Sequence, residues 1–162
     1  RLQSPNLGDE PTRDALRQRM RTQGLAPERV DLHGRSSRAA YLQAHAEVDL
    51  LLDTFPFPGG TTTCEALWMG VPTLTLRGDR LIARQGSGLL LAAGLPDWIA
   101  DDEAGFVALA VQRASDLGAL ADLRAALRPR VAASALCDAR AFAADFSEAL
   151  EGMQRAAARR AP

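Results

Sequence analysis

Apolar and polar positions along this chain change period several times, and turn residues mark the changes. Leu16, Met20 and Leu25 recur at helical spacing behind Asp9, Glu10, Pro11 and Thr12, with Gly24 as a stop. That pattern predicts a helix with an acidic, proline-containing first turn. Val30 and Leu32 alternate with Asp31 and His33 and end at Gly34, a short strand. Ser36 or Ser37 is placed to cap a helix over 37–48, with Tyr41, Leu42, Ala46 and Val48 on its buried side. Asp49-Leu50-Leu51-Leu52-Asp53 is an apolar run framed by acids, which predicts a strand buried on both faces. A loop of breakers follows, Thr54-Phe55-Pro56-Phe57-Pro58-Gly59-Gly60.

Thr61-Thr62-Thr63 then opens a helix that Gly70 ends, and Val71 to Leu76 reads as the next strand. An apolar helix is expected over 81–93, interrupted near Gly86 and Gly88. Asp97 to Ala100 is a short strand, and helices are expected over 102–116, 118–128 and 138–158. Strands alternating with helices imply a parallel sheet with right-handed crossovers. Such sheets bind ligands at the carboxyl ends of their strands, which directs attention to the loops at 33–37, 54–62, 77–86 and 100–102.

Composition narrows the function classes. The chain has 162 residues, 47% of them hydrophobic and 24% charged, the profile of an ordinary globular domain. Its formal charge of −1 argues against a general nucleic-acid binder. No apolar run approaches the roughly 20 residues of a membrane span, and the polar Arg1–Glu10 segment is not a signal peptide, so a cytoplasmic location is expected. The chain begins without Met and reads as a piece of a longer polypeptide. Two cysteines and two histidines make neither a disulfide framework nor a structural zinc site. All 19 basic residues are arginine, so arginine is partly a default cation here.

The richest chemistry lies at residues 53–72. A strand delivers the chain into a loop whose glycines allow close backbone approach. The threonines then begin a helix, whose free N–H groups, partial positive charge and hydroxyls suit a phosphate or diphosphate. Glu65, at i+4 from Thr61, lies on the same face, where a carboxylate can accept hydrogen bonds from ribose hydroxyls. The site therefore reads as nucleotide-binding, with phosphate at Thr61 and Thr62 and ribose at Glu65; the alternative is ordinary threonine capping of a strand–loop–helix junction. No Lys follows the glycines as in a Walker A loop, and no Gly-x-Gly-x-x-Gly is present.

The run Asp49 to Leu76, with Gly-Gly-Thr-Thr-Thr and Glu-Ala-Leu-Trp-Met-Gly-Val-Pro, resembles the catalytic region of bacterial tetratricopeptide-repeat O-linked N-acetylglucosamine transferases, glycosyltransferase family 41. Ala83-Arg84-Gln85-Gly86-Ser87 resembles the segment that follows there. The likeness is strong over 29–100 and looser over the terminal helices. It implies an α/β fold: a Rossmann-like parallel sheet with helices on both faces, the C-terminal lobe of a GT-B glycosyltransferase, with C-terminal helices beside it. Residues 1–134 would form the UDP-sugar-binding lobe, and 135–162 a helix packing on that lobe or on an N-terminal lobe not contained in this chain.

The resemblance implies transfer of N-acetylglucosamine from UDP-GlcNAc to protein Ser or Thr hydroxyls by an inverting mechanism. The upstream lobe and repeats of the same polypeptide would be required, leaving this piece inactive alone. Carried over residue by residue, Gly60, Thr61 and Thr62 fall on the diphosphate and Glu65 on the ribose. The loop at Ser36 faces the base, while Arg38 and Tyr41 fall near the uridine. Departures are Arg38 for a Lys, Tyr41 for a His, Glu65 for a shorter Asp in some members, and Gly60 for a His in animal members. Gln and Lys contacts made just before this chain begins have no counterpart. No metal is expected, because the helix start supplies positive potential and no Asp-x-Asp motif ends a strand. A degenerate scaffold of the same fold, or a UDP-sugar enzyme with a non-protein acceptor, are the rival readings.

Other residues carry paired readings. Arg84 either balances diphosphate charge or is solvated. His33 ends a strand on the ligand side, while His45 is expected on a surface or half-buried helix face. Asp53 is expected to cap the loop backbone. Trp68 and Met69 are expected in the core and Cys64 as a buried small apolar residue; Arg155, Arg159 and Arg160 end a solvated helix.

Overall fold

The computed structural model describes residues 1–159. They divide into two units, Arg1–Val48 and a second beginning at Asp49.

In the first unit, β1 (Leu2–Gln3) pairs in parallel with β2 (Leu32–His33). Between them runs α1 (Glu10–Thr22), where the Asp9 side chain accepts from the Thr12 N–H at 2.9 Å. Gly24 stops the helix with φ 77°. Helix α2 (Arg38–Gln43) is shorter than expected and passes into a 3-10 turn at Ala44–Glu47. Of the two candidate caps, Ser37 is the one used, accepting from the Ala40 N–H at 3.2 Å. That tighter turn exposes Ala46 and buries Ala44 and His45. His45 is thus 5% exposed, against the expectation, with Nδ1 facing the Tyr41 and Leu42 carbonyls.

The second unit is a parallel sheet in the order β3 (Leu51–Leu52), β4 (Thr73–Leu76), β5 (Ile99–Ala100). The crossovers carry α3 (Thr61–Trp68) and α4 (Gln85–Ala92); then come α5 (Glu103–Ser115), α6 (Leu117–Ala132) and α7 (Ala139–Ala158). Helices flank the parallel strands on both sides, the Rossmann-like arrangement expected. The core joins Leu74 of β4 and Ala100 of β5 to Leu67, Leu90, Phe106, Leu120, Leu127 and Val131 of the helices.

Full burial belongs to β4, not β3: Thr73, Leu74 and Thr75 are 0% exposed, whereas Leu52 is 52% exposed. The reason is position, since β4 is the middle strand of the three. Trp68 also departs from expectation. The buried face of α3 is Thr63, Ala66 and Leu67, which turns Trp68 outward to 40% exposure under the Arg128 guanidinium, 4.8 Å from the ring centroid.

Helix α4 runs through Gly86 and Gly88 without a break, and α6 runs past 128 through Pro129. Leu127 and Val131 are buried on either side of that proline, so packing outweighs the local penalty. In α7, Phe142, Phe146, Leu150 and Met153 are all exposed. Arg155 pairs with Glu151 at 3.3 Å, and Arg160 lies outside the described residues. No helix among the described residues is long and apolar enough to cross a membrane.

Candidate functional site: the loop between strand β3 and helix α3

The loop is organised by one buried carboxylate. Asp53, 6% exposed, follows β3 and accepts three hydrogen bonds. Its Oδ1 takes the Thr54 N–H at 3.0 Å and the Gly59 N–H at 2.7 Å, and its Oδ2 takes the Thr75 hydroxyl at 2.8 Å. It closes the turn on itself and ties it to β4, the capping role expected of it. Burial raises its pKa above the ordinary aspartate value, against the lowering effect of those three donors. Thr54 adds a bond from its hydroxyl to the Phe57 carbonyl at 2.8 Å, and Phe55 packs edge-on against Phe106 at 5.6 Å.

The three threonines divide by role. Thr63 is fully buried and donates to the Gly59 carbonyl at 3.0 Å, so its hydroxyl is spent on the loop. Thr61 and Thr62 are exposed in the first turn of α3. The residue before them is Gly60, which brings no side-chain cap. The leading N–H groups of α3 therefore point out of the helix with no intrahelical acceptor, flanked by two hydroxyls. A helix start of this kind suits an anion on general grounds. A Cβ on Gly59 would come within 2.5 Å of the Thr62 Oγ1, which explains the glycine there. Gly70, with φ 79°, ends the helix.

Glu65 is half-buried one turn further along α3. Cys64 is half-buried as well, and burial pushes its thiol pKa up, which removes any case for a nucleophile. The Arg84 Nε donates to the Gly78 carbonyl at 3.0 Å, so the guanidinium is held to its own loop while remaining exposed.

The residues assigned to the base lie in the first unit. Ser36 accepts from the Gln3 amide at 2.8 Å, which links the ends of β1 and β2. Arg38 is exposed at the start of α2. Tyr41 is half-buried, with its ring 5.0 Å from His45 in an edge-on contact. His33 is half-buried at the end of β2, where its carbonyl accepts from the Ser4 N–H at 3.0 Å. Among the described residues no group of three or more His, Cys, Asp and Glu is arranged to hold a metal ion.

Sequence reasoning missed Gln85, the first residue of α4, whose amide lies against Gly60. No local pattern signals a contact across 25 positions.

The chain is 41% identical over 158 residues to a Petunia hybrida protein named as a probable UDP-N-acetylglucosamine–peptide N-acetylglucosaminyltransferase, SPINDLY, covering 91% of this chain and 16% of that one. It is 28% identical over 152 residues to the Caenorhabditis elegans UDP-N-acetylglucosamine–peptide N-acetylglucosaminyltransferase, covering 94% of this chain and 13% of that one. The chain thus spans about a sixth or less of the length of these relatives. Among solved structures, a mutant O-GlcNAc transferase of Thermobaculum terrenum superposes with a TM-score of 0.90 at 35% identity, over 98% of this chain and 30% of that one. The sequence profile of glycosyl transferase family 41 matches residues 2–146, and this chain belongs to that family.

Proposed function

We propose that this chain is the UDP-sugar-binding lobe of an inverting protein glycosyltransferase. The full polypeptide transfers N-acetylglucosamine from UDP-GlcNAc to Ser or Thr hydroxyls of proteins. The observation that carries this reading is the glycine-capped start of α3, with Thr61 and Thr62 exposed beside free N–H groups. Departure of a nucleoside diphosphate leaves negative charge on phosphate oxygens. A helix start and two hydroxyls meet that charge with donors already in place.

In this reading Gly60 lets the phosphates approach the backbone, Thr61 and Thr62 donate to them, and Arg84 adds positive charge. Glu65 accepts from the ribose hydroxyls. Ser36, Arg38 and Tyr41 serve the uridine, an assignment that rests on the family likeness. The N-terminal lobe and the tetratricopeptide repeats belong to the rest of the polypeptide, and the group that takes the acceptor's hydroxyl proton comes from that lobe or from the substrate. This piece alone is inactive, and the protein works in the cytoplasm. No metal takes part, because the helix start does the work that a cation would do.

Two measurements test this on the full polypeptide. Glu65→Gln keeps the shape but removes the charge that strengthens bonds to hydroxyls. It is expected to weaken UDP binding several-fold in calorimetry and to leave inorganic diphosphate unchanged. Equal loss for both ligands would mean that Glu65 acts on the helix and not on ribose. Transfer from UDP-GlcNAc is expected to persist in EDTA. A strict requirement, restored by adding magnesium or manganese, would overturn the metal-free assignment.

A further inference from the structure

The start of α3 faces the start of another helix. A Cβ built on Gly60 would stand 2.3 Å from the Gln85 Nε2, 3.0 Å from its Cδ and 3.4 Å from its Oε1. The amide therefore occupies the space that a side chain at position 60 would need, with its nitrogen nearest. Gln85 itself is exposed, and its amide is engaged in no hydrogen bond among the described residues. An amide offers two N–H donors and one acceptor.

The backbone that carries Gln85 is fixed in place by its neighbour. The next residue, Gly86, is buried where a Cβ would come within 2.5 Å of both the Asp53 Oδ2 and the Thr75 Oγ1. The carboxylate that shapes the loop before α3 thus also seats the first turn of α4. Gly86 permits that approach, which leaves Gln85 as the side chain reaching across to Gly60.

We propose that Gln85 is a binding residue for the donor diphosphate, its amide N–H adding a donor to those of Thr61 and Thr62. Gly60 is glycine so that the amide can lie there. This rests on the function proposed above for the same site. It explains what capping alone does not: why a polar side chain from a different helix lies against a residue that has no cap of its own. An amide that merely filled space would gain nothing from its N–H groups and would be replaceable by an apolar chain.

The test is calorimetry on the full polypeptide with UDP, UMP and inorganic diphosphate as probes. Gln85→Ala, at an exposed position, is expected to weaken UDP and diphosphate about tenfold, the scale of one hydrogen bond to a charged group. UMP is expected to change by less than about twofold, since it lacks the second phosphate. Gln85→Glu places a like charge beside the phosphates and is expected to weaken UDP more than Ala does. Gly60→Ala, which displaces the amide, is expected to cost less in the Gln85→Ala background than in the native one.

If the native protein binds UDP and neither Gln85 variant alters it, or UMP loses as much as UDP, the Gln85 assignment falls while the nucleotide site stands. If the native protein binds diphosphate in a Gln85-dependent way but not UDP, the nucleotide reading falls while Gln85 stands. If it binds neither, both fall.

Discussion

Replacing Thr61 and Thr62 together by valine is expected to lower UDP affinity by one to two orders of magnitude. Valine keeps the branched shape at the start of α3 but removes both hydroxyl donors, and both positions are exposed, so the lobe should fold as before. Hydrogen bonds to charged groups are worth about 1.5–3 kcal/mol each. The backbone N–H groups of the first turn remain, and with them part of the attraction, which limits the loss. UMP is expected to lose less than UDP if the second phosphate is the main partner of this turn, as proposed. Calorimetry with both nucleotides decides it, and equal losses would show that the threonines act on the helix and not on the diphosphate.

Asp53→Ala is expected to reduce stability by about 3 kcal/mol, because it leaves the Thr54 and Gly59 N–H groups and the Thr75 hydroxyl without their shared acceptor. Nucleotide affinity should fall with it, since the same carboxylate holds the loop before α3 and lies under Gly86 of α4. Asp53→Asn is expected to be much milder. Its carbonyl still accepts from the two N–H groups, and its amide can donate to the Thr75 oxygen.

The pair also carries a pH signature. Burial raises the Asp53 pKa above 3.8, so the folded chain binds this proton more tightly than the unfolded chain does. The stability gained from that proton is fully present below pH 3.8 and is lost as pH rises through the raised folded value. Native stability measured against that of Asp53→Asn should therefore decline over that interval and level off above it. Urea titrations at several pH values read it directly, and a flat difference would place Asp53 outside the linkage.

Much of the second unit follows from local chemistry that can be read along the chain. The helix start at Thr61, the stop at Gly70, the Asp102 side chain that accepts from the Gly105 N–H before α5 and the turn organised by Asp53 each depend on a few neighbouring residues. Their backbone conformations and hydrogen-bonding groups act over one or two turns, so a linear reading reaches them. The anion site proposed at the α3 start belongs to the same class, because it rests on N–H groups that no helix can satisfy within itself.

Other features depend on what packs against what. The apolar run before Asp53 reads like a doubly buried strand, yet the sheet order gives full burial to the threonine-bearing β4. Trp68 reads as core, but the face of α3 that meets the sheet is set by Thr63, Ala66 and Leu67, one helical step away. Gly86 and Gly88 read as interruptions and the helix over 118–128 as ending there, yet α4 runs through both glycines and α6 continues through Pro129.

Gln85 is the clearest case. No local pattern places it beside Gly60, a position reached with Gly86 fitted against Asp53 and Thr75. Local hydrogen bonding and steric preference determined where this protein begins and ends its elements and where it leaves helix N–H groups open beside exposed hydroxyls. Only the close packing of distant backbones decided which strand is central, which aromatic is outside and which amide stands beside Gly60, because those depend on distances that no local pattern encodes.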